Sequence, residues 1–138
     1  MNDDSKTEII AKNLISYHPI KDARGDLIAI EEGTHVPFVI RRVYFLKNLN
    51  DMPRGFHAHK ELQQVLICIK GSCEVMLDDG NQKNKVQVKE DGPALLIGKK
   101  IWHEMESFSK DCVIAVFASE LYQESDYIRD YEEFKRYI

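Results

Sequence analysis

Residues 54–71 read RGFHAHKELQQVLICIKG. His57 and His59 sit one residue apart. On a β-strand that spacing turns both imidazoles to the same face. Val65 to Ile69 then runs apolar without a break, as a strand covered on both faces does. Two imidazoles on one face, beside a buried strand, make half of a metal site or half of an acid/base site.

Outward from this stretch the chain reads as short strands. Leu27–Ile30 follows the turn-like Asp22-Ala23-Arg24-Gly25-Asp26. Phe38–Leu46 is rich in β-branched and aromatic residues. Glu74–Leu77 leads into Asp78-Asp79-Gly80, a hairpin signal, and Val86 and Val88 alternate with polar residues on the return. Leu95–Ile97 and Cys112–Ala118 complete the set. Turn signals at intervals of about 8–12 residues predict an all-β sandwich or barrel. Tyr127, Tyr131, Phe134 and Ile138 fall at a helical period. They predict a short C-terminal helix, capped by Ser125 or Asp126.

The 138 residues suit one domain, with no repeat or linker. An apolar content of 43% supports a core, and a net charge of −4 argues against a nucleic-acid surface. Cys68, Cys73 and Cys112 lie in or beside apolar runs and read as reduced core thiols of a cytoplasmic protein. MNDDSKTEII lacks the pattern of a secretory signal, and no apolar run is long enough to span a bilayer.

The spacing His57, His59, Gln64, Gly71 resembles the first motif of the cupin superfamily. Ile97-Gly98-Lys99-Lys100-Ile101-Trp102-His103 resembles the second, with His103 in its histidine position. Metal-binding cupins use three histidines and a glutamate. Here the glutamate position is Gln64, a neutral amide and a weaker ligand for a divalent cation. No metal is therefore expected, and no cofactor. The acid/base reading needs neither: an imidazole near its ordinary pKa takes and returns protons at working pH.

A nearer resemblance covers Asp22 to the C-terminus. RVYFL, RGFHAH, GSCEVMLDDG, IWHEM and ESDYIRDYEEF together look like the sugar nucleotide 3,4-ketoisomerases, which act on TDP-4-keto-6-deoxyglucose. The resemblance implies a cupin-type antiparallel β-sandwich or jelly roll that works without a catalytic metal. It also implies a homodimer that exchanges N-terminal strands. The implied reaction moves the keto group from C4 to C3. The C3 proton lies α to the C4 carbonyl, so its removal gives an enediolate, and reprotonation at C4 completes the step. The 3-keto product would suit a PLP-dependent aminotransferase of deoxyamino sugar synthesis.

The resemblance carries the base to His57, with His59 as its acid/base partner; the residues alone do not rank the two. Tyr44 is the candidate hydroxyl donor or relay. A diphosphate calls for arginine forks, and Arg24, Arg41, Arg42 and Arg54 are the supply. Period two puts Arg42 on Tyr44's side of a strand and Arg41 on the other, although the resemblance keeps Arg41 among the candidates. Gln64 is expected to bond a histidine or the sugar, Trp102 to stack on the base or wall the pocket, and His103 to face it. A metal-dependent cupin enzyme and a non-catalytic TDP-sugar binder are the alternatives. A 3,5-epimerase would pair histidine with aspartate, and the sequence displays no such aspartate motif.

Overall fold

The computed structural model describes residue 10 and residues 12–138. Residues 1–9, read above as lacking a secretory signal, lie outside the described part. Two five-stranded antiparallel sheets face each other. One orders β1 (Leu14–Ile15), β9 (Ala94–Ile97), β6 (Gln64–Lys70), β11 (Val113–Ala118) and β4 (Arg42–Leu46). The other orders β12 (Tyr127–Ile128), β5 (Arg54–His59), β10 (Trp102–Glu106), β7 (Ser72–Asp78) and β8 (Lys83–Lys89). A separate ribbon pairs β2 (Ile20–Asp22) with β3 (Gly25–Leu27). The all-β sandwich is the architecture the strand spacing predicts.

β6 accounts for its unbroken apolar run. Leu66 and Cys68 point between the sheets, into a core with Val75, Leu77, Met105, Ile114 and Val116. Val65 and Ile67 point outward, into a second cluster with Tyr17, Val36 and Ala94. Ile28, Ile30, Phe38 and Ile40 pack on that outer cluster. This corrects two strand boundaries. Ile28, Ile30, Phe38 and Ile40 are apolar because they cover a sheet, not because they join one; β3 ends at Leu27 and β4 begins at Arg42. Each of these four side chains is only partly buried and so contributes less than the about 1.5–3 kcal/mol of a fully buried side chain.

The C-terminal helix is shorter than its periodicity predicts. α1 spans Tyr131–Tyr137 and is capped by Asp130, whose carboxylate accepts from the backbone N–H groups of Glu132 and Glu133. Glu132 and Glu133 in the first turn and Lys135 and Arg136 in the last complement its dipole. Phe134 is fully buried with Ala58, Trp102 and Ile128. Tyr127 lies before the helix, in β12, paired with His59 of β5. Among the described residues no helix is long and apolar enough to cross a membrane. Burial pushes the Cys73 thiol up to about 12 and raises Cys68 and Cys112 as well, so none is a ready nucleophile.

Candidate active site

The H-x-H strand is bent before it delivers its histidines. Gly55 (φ 92°) and Phe56 (φ 60°) both take left-handed backbone conformations. A Cβ on Gly55 would stand 2.9 Å from the His103 carbonyl oxygen, so the close approach of β5 to β10 needs glycine there. The β5–β10 register shifts beside this point, between His103 and Glu104. Strict alternation would separate Arg54 from His57. With the bend, Arg54, Gly55 and His57 all line one pocket of about 220 Å³.

Arg42, Tyr44 and Leu46 of β4, His103 and Met105 of β10, and Tyr127 of β12 complete the lining. Period two works as expected on β4, placing Arg42 and Tyr44 on the inner face. The Gln64 side-chain amide donates to the Tyr44 hydroxyl at 2.6 Å. His103 stands directly opposite His57 in the ladder, with ring centroids 4.6 Å apart. His59 is 2% exposed and lies outside the lining, with its ring 4.9 Å from that of His57.

Gln64 bonds Tyr44, not a histidine, and lies outside the pocket lining, and three further expected substrate contacts fall elsewhere in this chain. Trp102 is buried in the cluster under α1, with its indole N–H donating to Glu104. It neighbours His103 in sequence, so on a strand the two face opposite ways. Arg41 is exposed, 3.8 Å from Glu120, and Arg24 is exposed on the β2–β3 ribbon, paired with Asp22 at 2.7 Å.

The structure also supplies residues the sequence reading passed over. Asp126 reaches His59: one carboxylate oxygen lies 3.2 Å from Nδ1. Its other oxygen accepts the Glu61 N–H at 2.8 Å. The sequence offered no aspartate motif because the two residues are 67 positions apart. Tyr127 meets both histidine rings edge-on, at 5.0 and 4.3 Å. Arg129 lies over the Tyr127 ring at 4.1 Å and forks onto Glu124. The sequence places Tyr127 on the helix stripe and gives Arg129 no signal of its own.

Electrostatics keep the imidazoles neutral. Burial, then the Arg129 guanidinium, pushes His57 down to about 4. Burial dominates at His59 and His103 as well, pushing each to about 3. At His59 the neighbouring His57 and the Arg42 and Arg129 guanidiniums act in the same direction as burial. Burial raises Tyr44 to about 12, so its phenol stays protonated. Buried neutral imidazoles, a phenol donor and two arginines at one pocket suit proton transfer next to a carbonyl of an anionic substrate.

The same cluster also passes a geometric test for a cation. One ligand atom from each of His57, His59 and His103 lies within 4.8 Å of the others. Among the described residues His57 Nδ1 and His59 Nε2 are buried without a hydrogen-bond partner. The donors are three neutral imidazoles, and Gln64 in the ligand-carboxylate position of the motif bonds Tyr44 instead.

A double antiparallel sheet with histidines on its inner wall is a cupin-like architecture. The chain belongs to the family described as FdtA: WxcM-like, C-terminal, whose profile matches residues 11–138. It is 50% identical over 126 residues to the TDP-4-oxo-6-deoxy-alpha-D-glucose-3,4-oxoisomerase of Aneurinibacillus thermoaerophilus, covering 91% of each chain. A 3,4-ketoisomerase from Helicobacter canadensis superposes with a TM-score of 0.86 at 44% identity, covering 90% of this chain and 94% of that one. A histidine-to-asparagine mutant of the 3,4-ketoisomerase QdtA from Thermoanaerobacterium thermosaccharolyticum, in complex with TDP-4-keto-6-deoxyglucose, also gives 0.86, at 38% identity over 90% and 91% of the two chains.

Proposed function

We infer that this chain is a sugar nucleotide 3,4-ketoisomerase that converts TDP-4-keto-6-deoxyglucose to a TDP-3-keto-6-deoxyhexose. The observation that carries the reading is His57. It faces the pocket beside Tyr44, Arg42 and Arg54, in a chain half identical to a named oxoisomerase. His57, neutral at working pH, takes the proton from C3. The electron pair moves onto the C4 oxygen, where the Tyr44 phenol donates to the developing charge. The C4 oxygen then takes a proton and the C3 hydroxyl gives one up, so the enediolate charge moves to the C3 oxygen; its collapse to the C3 ketone draws the proton held by His57, or one exchanged from solvent, onto C4. Arg42 and Arg54 meet the anionic part of the substrate.

A pocket of about 220 Å³ is smaller than the usual drug-sized site of about 300–1,000 Å³. It suits the sugar and leaves the nucleotide outside. A homodimer with exchanged N-terminal strands answers to that. Ile20 and Leu27 are exposed on the ribbon that carries Arg24, and Val43 and Phe45 on the outer face of β4. Exchange would cover such faces and bring Arg24 towards a partner's nucleotide. The buried, unpaired thiols agree with a cytoplasmic enzyme.

The experiment is incubation with TDP-4-keto-6-deoxyglucose in D₂O, followed by NMR of the sugar. A 3-keto product with deuterium at C4 is expected. Binding with neither product nor exchange would mark a non-catalytic binder.

The histidine geometry favours one second reading: a divalent cation held by His57, His59 and His103. Bound there, it would polarise a substrate carbonyl as a Lewis acid. Metal analysis and chelation separate the readings: turnover that survives exhaustive chelation supports proton transfer by histidine, and loss restored by zinc, iron or manganese supports the cation.

A further inference from the structure

Of the two H-x-H histidines, only His57 faces the pocket, whereas His59 lies behind it and holds a carboxylate. Asp126 Oδ2 is 3.2 Å from His59 Nδ1. Asp126 is itself fixed from several directions. Oδ1 accepts the Glu61 N–H at 2.8 Å, and Oδ2 accepts the Leu62 N–H at 3.3 Å. Its backbone carbonyl accepts the Lys60 N–H at 3.0 Å. The next residue, Tyr127, pairs with His59 in the β5–β12 ladder. The carboxylate therefore cannot turn away without releasing the turn that follows the H-x-H strand. Among the described residues the histidine–carboxylate contact in the cluster is His59–Asp126, whereas His103 Nδ1 faces the Ile101 carbonyl.

We propose that Asp126 is a positioning residue that locks His59 in the Nδ1–H tautomer, leaving Nε2 as a proton acceptor in the histidine cluster. A carboxylate beside Nδ1 only accepts, so Nδ1 must donate. In a neutral ring Nε2 is then bare. That atom is buried and has no partner among the described residues. His59 thus cannot donate from Nε2 in the resting enzyme. An equal division of acid and base work between the two histidines gives way to an ordered one. His57 meets the substrate, and the His59–Asp126 pair behind it orients the cluster and favours positive charge there as His57 takes its proton. The proposal rests on the ketoisomerase reading for its consequence in catalysis, but its core is a tautomer that needs no turnover to observe.

The test is ¹⁵N NMR of the imidazoles in the full-length protein, with His59 assigned through His59→Gln. Wild-type His59 is expected to show a protonated Nδ1 and an unprotonated Nε2. Asp126→Asn is close to isosteric: its amide oxygen keeps the shorter bond from the Glu61 N–H, while its NH₂ gives up the longer Leu62 N–H contact, meets Nδ1 and forces the proton to Nε2. The variant is expected to invert the tautomer. It should lower kcat between about 10-fold and 10⁴-fold, the span seen when a carboxylate that orients an imidazole is neutralised, with KM little changed. A wild-type Nε2–H tautomer overturns the proposal, and that measurement stands even where the variant fails to fold. A folded Asp126→Asn protein with an unchanged His59 tautomer overturns it too. A wild type with the expected tautomer but no isomerase activity would instead remove the proposed function and leave the tautomer lock standing.

Discussion

The Gln64 amide donates to the Tyr44 hydroxyl across an intervening strand, at 2.6 Å. Gln64 is on β6 and Tyr44 on β4, with β11 between them. Ala118 makes the contact possible. It is in register with both Gln64 and Arg42, and its methyl group leaves the space above β11 open. The bond occupies a lone pair of the phenol oxygen and leaves the phenol proton to point elsewhere. Gln64 in the place of a cupin glutamate thus makes Tyr44 a donor.

Tyr44→Phe should therefore lower kcat by about 10- to 100-fold, the worth of one hydrogen bond to developing charge. Gln64→Glu should lower kcat as well, because its carboxylate would accept the phenol proton that the reaction needs. Steady-state kinetics on the two variants check this. A Gln64→Glu enzyme of normal kcat would show that Tyr44 does not donate in the rate-limiting step.

His57→Asn should lower kcat by about 10²–10⁴-fold, the ordinary worth of a positioned acid or base. TDP affinity should hardly change, since Arg42 and Arg54 remain. Titration with TDP and single-turnover kinetics separate the two effects. Normal isomerisation in this variant, with deuterium still entering C4, would remove His57 as the base.

The pH dependence has a definite sign. His57 sits at about 4 in the fold against 6.5 in the free side chain. The neutral base then persists well below pH 6.5, and kcat/KM should stay level from pH 8 to about 5.5. An unshifted histidine would give a fall centred near 6.5. Stability runs the other way. Below 6.5 the unfolded chain binds more protons than the folded one. Stability is fully present above 6.5 and declines as the pH falls towards 4. Urea melts at pH 7.5 and 5.0 test this: an unchanged midpoint would mean that the imidazoles are not held neutral.

Phe134→Ala should destabilise the fold by about 3–5 kcal/mol, because its ring is fully buried against Trp102. Asp130→Ala should cost about 1 kcal/mol through the lost helix cap. Denaturant melts measure both. A smaller loss for Phe134 than for Asp130 would show that α1 is held by its cap more than by its packing.

The sequence by itself determined the all-β class, most of the strands and half of the pocket. Strand periods are local, so the spacing of His57 and His59, the doubly covered β6, and the pairing of Arg42 with Tyr44 on one face were all legible. The C-terminal helix was legible in kind but not in its start, because Tyr127 continues the helical period by coincidence while pairing with β5. Only the tertiary structure decided which histidine faces the pocket. Period two gives His57 and His59 the same side, but depth along the strand depends on what closes over it, here β12. It also decided that Asp126 meets His59 and that Trp102 turns to the helix. Contacts across 67 positions leave no periodic trace. They arise where β12 folds back along β5, and that pairing is set by the burial of Ile128 and Phe134 against Ala58 and Trp102.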